Sequence, residues 1–222
     1  MQALLDLFHN LTDAKWIMAH GGLYIVVFIV FAETGLFAGF FLPGDSLLFI
    51  AGMIIAQSVS PDVAPALSLL YWVTLISASA IIGNYVGYWF GKKSGEVLMK
   101  RKDSWLFKKK YLIQAKDFYE KKGGGAIMIA RFLPVVRTFA PIVAGMVNMD
   151  RKKFTLYNIL GAVAWAGSIV TAGFLLGNYD WVKNNLDKII IGIVVVTTAP
   201  VLIKMIASRK KKEPLPADQL NS

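Results

Sequence analysis

Residues 63–91 carry no charged side chain, an unbroken run of 29. About 20 apolar residues cross the hydrocarbon core of a bilayer, so this stretch reads as a spanning helix, roughly 66–90. Residues 154–179 are likewise uncharged, and 189–203 are uncharged up to Lys204, whose stem can snorkel to the interface. Two further spans follow, roughly 154–177 and 184–206. Composition agrees: of 222 residues, 56% are hydrophobic and 17% charged, against about 25% charged in an average soluble domain. A soluble globule of this size and a disordered chain are both excluded.

Two other apolar stretches are interrupted. Residues 21–61 are broken by Pro43-Gly44-Asp45, and the piece beyond the break, Ser46–Gln57, has only 12 residues. That is about 18 Å of helix, too short to cross. Residues 123–149 contain Pro134 and Pro141, with Arg131 and Arg137 at depth. Both stretches read as re-entrant hairpins, 23–57 and 124–147, shaped by Pro43, Gly44, Pro134 and Pro141. Such backbone is tolerated in a bilayer only where protein or a wet cavity satisfies it. The N-terminus lacks the cationic start and short apolar core of a signal peptide. Leu4, Leu7, Leu11, Ala14 and Met18 instead recur at helical spacing, as in an amphipathic helix lying in the interface, 3–20.

Charge placement orients these pieces. Of 24 Lys and Arg, 11 fall in residues 92–122, three at Arg151, Lys152 and Lys153, and five between Lys204 and Lys212. Basic residues flanking apolar runs mark the cytoplasmic side, whereas a nucleic-acid binder shows a soluble basic face with stacking aromatics. Nucleic acid is therefore not an expected partner. The 92–122 linker and the C-terminus are expected in the cytoplasm, and the N-terminal helix on the outer face. The expected fold is an all-α integral membrane protein in one membrane domain, 1–206. It is an inverted repeat of amphipathic helix, re-entrant hairpin and transmembrane helix (3–90 and 104–177), plus a final transmembrane helix, with a basic, disordered tail at 207–222. Inverted repeats of broken helices are a transporter signature.

Four ionisable residues lie well inside the hairpins: Glu33, Asp45, Arg131 and Arg137. Each costs on the order of 3 kcal/mol to place in hydrocarbon, so they are expected to pair or to line a substrate path. The bland alternatives are that Asp45 caps the short helix after it, that Arg137 bonds hairpin carbonyls, and that Glu33 forms a structural ion pair. Arginine offers a planar fork that fits a phosphate or carboxylate, which makes Arg131 and Arg137 a candidate anion site. Desolvation makes Glu33 a candidate proton carrier, with Asp45 its partner nearer the tip.

These residues carry a resemblance. Glu33-Thr-Gly35 followed by Phe41-Leu-Pro43-Gly44-Asp45, then Arg131-Phe-Leu-Pro134-Val-Val-Arg137-Thr with Pro141 and Ala144-Gly145, resembles the DedA family of bacterial membrane proteins. The stretch from Gly83-Asn84-Tyr85 to Gly91 is also similar to that family's first long span. The resemblance covers roughly 20–206 and implies opposed re-entrant hairpins, a place in the bacterial inner membrane, and functional positions at Glu33, Asp45, Arg131 and Arg137. It implies flipping of a phosphate-headed lipid, undecaprenyl phosphate or a phospholipid, with or without coupling to protons; related VTT-domain proteins of eukaryotes are lipid scramblases. Asn84 departs from the pattern, since many members have an acid there.

Other features read as structural. Gly83, Gly87, Gly91 and Gly95 form a small-residue row that lets helices approach closely, within a monomer or across a homodimer. Gly123-Gly124-Gly125 lacks the ending of a phosphate-binding loop and reads as a hinge. Trp72, Trp89, Trp165 and Trp181, with Tyr88 and Tyr179, read as an interfacial aromatic belt. Cysteine is absent and the two histidines, His9 and His20, are eleven apart, so no metal or cofactor is expected, and no nucleophile stands beside the arginines for an enzyme. The expected partners are membrane lipids and protons. The expected function is a lipid-phosphate flippase; the alternatives are a proton-coupled antiporter of a small ion or drug and a phospholipid scramblase.

Overall fold

The computed structural model describes residues 14–35, 44–57, 64–100, 119, 124–185, 188–189 and 192. Among them all regular structure is helical: α1 (Ala14–Ala19), α2 (Leu23–Gly35), α3 (Gly44–Gln57), α4 (Pro65–Lys100), α5 (Gly125–Ala130), α6 (Pro134–Met146), α7 (Arg151–Leu176) and α8 (Asp180–Asn184). Several expected features lie outside the described residues. They are the N-terminal helix before residue 14, the first hairpin's turn with Pro43, the linker helix apart from Tyr119, most of the last span and the tail.

Two helices are long and apolar enough to cross a membrane, Pro65–Gly95 within α4 and Arg151–Leu176. Both are longer than the sequence-based limits. α4 does not stop near residue 90 but runs to Lys100, because Lys92, Lys93, Glu96 and Leu98 are good helix formers and because Gly91 and Gly95 pack against the backbone of Ile142 and Met146. The end of a membrane span is not the end of its helix. α7 starts at Arg151, three residues earlier than expected, since Asp150 caps it by accepting from the Lys153 amide at 2.9 Å.

The hairpin arms stay short. α2 and α6 have 13 residues each, α3 has 14 and α5 has 6; at 1.5 Å per residue none spans about 30 Å. Arg131–Leu133 makes the turn of the second hairpin. Leu133 is extended and Pro134 opens α6, where its missing N–H is no loss. Pro141 does not break the chain; α6 continues through it, with the proline ring against Gly87.

The arms are shared between the long helices. α2 and α6 both pack on α4, α3 and α5 both pack on α7, and α4 packs on α7. The main core joins Ile17, Val26, Val30, Leu47, Leu48, Ile50, Ile76, Trp165 and Val170. α3 is buried on every side from Gly44 to Ile55, which explains why it is apolar all round. Conversely Leu67, Leu70, Ile82, Trp89, Leu156, Ile159 and Val163 are exposed, so the outward faces of α4 and α7 are apolar, as lipid requires. The small-residue row is used inside the chain. A Cβ on Gly91 would overlap the Ile142 carbonyl, one on Gly145 the Tyr88 carbonyl, and one on Gly52 the Val170 carbonyl.

Candidate functional site

Glu33 stands near the end of α2, Asp45 in the first turn of α3, and Arg137 in the first turn of α6. All three are buried, and they meet where α2 of one hairpin touches α6 of the other. Arg137 spreads its fork across both acids: Nη1 donates to Asp45 Oδ1 at 2.6 Å and Nη2 donates to Glu33 Oε1. A planar guanidinium suits this double role, which a lysine ammonium does not match. Trp165 completes the cage. Its indole Nε1 donates to Asp45 Oδ1 at 2.9 Å, and the Arg137 guanidinium lies 5.1 Å from its ring centroid. Gly44 makes room, since a Cβ there would overlap the Glu33 carboxylate. Asp45 thus spends its bonds on Arg137 and Trp165, and Arg137 on carboxylates instead of hairpin carbonyls.

Arg131, grouped with Arg137 on sequence grounds, turns elsewhere. Its Nη2 donates to Asn158 Oδ1 at 2.5 Å and to the Ala80 carbonyl at 3.3 Å. Asn84 Nδ2 donates to the same Asn158 oxygen at 2.9 Å, and Asn158 Nδ2 donates to the Ile81 carbonyl at 3.2 Å. This second node ties α4, α7 and the turn of the second hairpin together. Every one of those partners is neutral, so the guanidinium charge of Arg131, 2% exposed, meets no carboxylate among the described residues.

Neither node is saturated. Glu33 Oε2, Arg137 Nε, Arg131 Nε, Asn84 Oδ1, Ser46 Oγ and Ser77 Oγ are buried and have no hydrogen-bond partner among the described residues. A buried polar group left so costs about 1–3 kcal/mol, and native proteins leave few. Four of these six atoms belong to Glu33, Arg137, Arg131 and Asn84, the residues of the two nodes. A metal is poorly served here: two carboxylates converge, no third acid or histidine joins them among the described residues, and Arg137 already takes up their charge.

Asn158 and Trp165 escaped the sequence reading. Trp165 is not part of an interfacial belt but lies buried midway along α7, 1% exposed, and Tyr88 is buried too, donating to the Met149 carbonyl at 2.6 Å. Trp89, near the end of the apolar span within α4, and Tyr179 and Trp181, at the start of α8, are exposed, as an interfacial belt requires. The signal for Asn158 was its amide in an otherwise apolar run, and Asn84 carries the same signal. For Trp165 no such signal exists, because an indole in a span is ordinarily packing.

Comparison with known proteins places these residues among relatives. The family model described as the VTT domain matches residues 42–175. The chain is 40% identical over 188 residues to Protein DedA of Escherichia coli K12, 84% of each chain. It is 38% identical over 178 residues to an uncharacterized membrane protein of Mycobacterium tuberculosis H37Rv, 80% of this chain and 76% of the relative. To the inner membrane protein YghB of Escherichia coli K12 it is 32% identical over 181 residues, 79% and 78% of the two chains. No solved structure matches.

Proposed function

The chain belongs to the VTT-domain, DedA family of membrane proteins, and from that membership we propose that it is an inner-membrane transporter that moves a phosphate-headed lipid, undecaprenyl phosphate by class, across the bilayer. The observation that carries this reading is the convergence of Glu33, Asp45 and Arg137 from two hairpins in one buried cluster, beside an Arg131 whose partners are neutral. Arg131 is the guanidinium with charge to spare and is the first anchor of the phosphate. Arg137 becomes available when a proton reaches Glu33 or Asp45, because a neutral carboxyl releases the Nη donor it held. Phosphate then takes the vacated fork. Proton binding and anion binding therefore favour each other, and by linkage each strengthens the other equally. The chemistry is non-covalent throughout.

The inverted repeat belongs to the same proposal. Its support is the exchange of arms: each long helix carries the first arm of its own hairpin and the second arm of the other. Two opposed hairpins shorten the barrier that a head group must cross while its acyl or prenyl tail stays in lipid. The cytoplasmic side is assigned to the basic end bearing Lys92, Lys93 and Arg151–Lys153.

The test is transbilayer movement of polyprenyl phosphate in liposomes holding the purified protein. Arg131→Ala and Arg137→Ala each abolish it, and Glu33→Gln removes its dependence on a pH gradient; unchanged movement in both arginine variants rejects the proposal. A second reading, proton-coupled antiport of a small ion or drug, is favoured by Arg137 being already occupied by two carboxylates. It requires proton movement in vesicles free of any lipid phosphate. A scramblase requires lipid movement in both directions with no pH-gradient signal.

A further inference from the structure

α4 and α7 border a partly open cavity of about 200 Å³ at the basic end of the bundle, lined by Tyr85, Tyr88, Trp89, Lys92, Arg151 and Phe154. Its floor is aromatic. Tyr88 and Phe154 are buried with ring centroids 4.4 Å apart, and the Tyr85 hydroxyl is fastened to Thr155. Lys92 and Arg151 bring two cations to this cavity from different helices. Asp150, the nearest acid in sequence, is engaged in capping α7. Outside the cavity the surface is apolar. Ile82, Val86, Trp89 and Phe90 on α4 and Leu156, Ile159 and Val163 on α7 are exposed, and the Lys93 ammonium sits 3.9 Å over the Trp89 ring.

We propose that this cavity binds the phosphate headgroup of an anionic phospholipid, with Lys92 and Arg151 on the phosphate and the acyl chains lying along the exposed apolar faces of α4 and α7. Basic pockets between transmembrane helices at the interface hold anionic headgroups in this way. The apolar approach selects a lipid over free phosphate, which has no use for it. The site is separate from the buried arginines. Asn84 and Asn158 of the Arg131 node lie one helical turn deeper than Tyr88 and Phe154, and that ring pair forms the wall between. The assignment stands whether or not the chain transports lipid.

Retention of phosphatidylglycerol by the full chain in native mass spectrometry, against phosphatidylcholine, tests it. Phosphatidylglycerol is retained in preference, and the pair Lys92→Gln and Arg151→Gln lowers its affinity by roughly tenfold or more. The pair Lys152→Gln and Lys153→Gln removes two charges from the same exposed turn and leaves affinity within about twofold. Lys92→Gln alone, with its unfolding temperature checked, gives a loss of about threefold to tenfold, so a folding defect in the double variant does not decide the matter. Equal losses in both double variants, or equal retention of the two lipids, overturn the proposal. Displacement of phosphatidylglycerol by millimolar inorganic phosphate assigns the site to free anions and overturns it as well.

Discussion

Arg137 and Asp45 are 92 positions apart in the chain, yet Nη1 of the first donates to Oδ1 of the second at 2.6 Å. The bond joins the second hairpin to the first, and Glu33 hangs from the other arm of the same guanidinium. One side chain therefore holds both acids. That concentration makes the variants of this cluster unequal in ways that can be measured.

Arg137→Ala strands two buried carboxylates, and breaking a buried pair from one side costs about 3–5 kcal/mol. Arg131→Ala strands none, because Asn158 keeps Asn84 as a donor. The two variants should lose lipid movement alike while only Arg137→Ala lowers the unfolding temperature in detergent strongly. Equal thermal losses would show that Arg131 also supports a hidden carboxylate.

Trp165→Phe keeps a ring under the guanidinium and removes the indole donor to Asp45. One hydrogen bond to a charged group is worth about 1.5–3 kcal/mol. The expected result is a folded protein with a modest fall in stability and weakened coupling of transport to the pH gradient. Proton uptake on dilution across a pH step, compared with wild type, reads it.

Asn158→Ala removes the shared acceptor of Arg131 and Asn84. Asn84 Nδ2 loses its partner, at about 1–3 kcal/mol, and Arg131 Nη2 keeps only its longer bond to the Ala80 carbonyl. Asn158→Asp supplies a carboxylate to Arg131 and so restores stability while still blocking phosphate. A denaturation midpoint near wild type, with lipid movement lost, is the signature sought.

Glycine substitutions divide by what they meet. Gly91→Ala drives a methyl into the Ile142 carbonyl and should cost about 1–3 kcal/mol, as overpacked cores do. Gly125→Ala meets nothing within 4 Å and should stay within about 0.5 kcal/mol. Gly44→Ala presses on the Glu33 carboxylate, so its transport defect should resemble that of Glu33→Gln. Thermal shift assays on the three variants order them.

The sequence reveals what depends on one element at a time. The uncharged runs around Leu75 and Val163 disclose α4 and α7, because a bilayer sets a length scale that charge obeys. Pro134 discloses the second hairpin because its ring dictates where α6 begins. Relations between elements are less accessible. Nothing in the spacing of Arg131 and Arg137, six apart, says that one faces carboxylates and the other an amide. That division arises from the turn at 131–133, which sends the two side chains to different helices. Asn158 and Trp165 were hidden for a related reason: a neutral polar or aromatic residue in an apolar helix costs too little to announce its partner.

The exchange of arms between the long helices has a consequence for biogenesis. As the ribosome delivers the chain, α3 emerges long before α7, on which it packs, and Glu33 and Asp45 precede the guanidinium that neutralises them by about a hundred residues. The N-terminal half accordingly has no finished resting place of its own. Until the other half is made its two acids lack the guanidinium that pairs with them, and a chain truncated before Arg137 keeps both carboxylates unmatched.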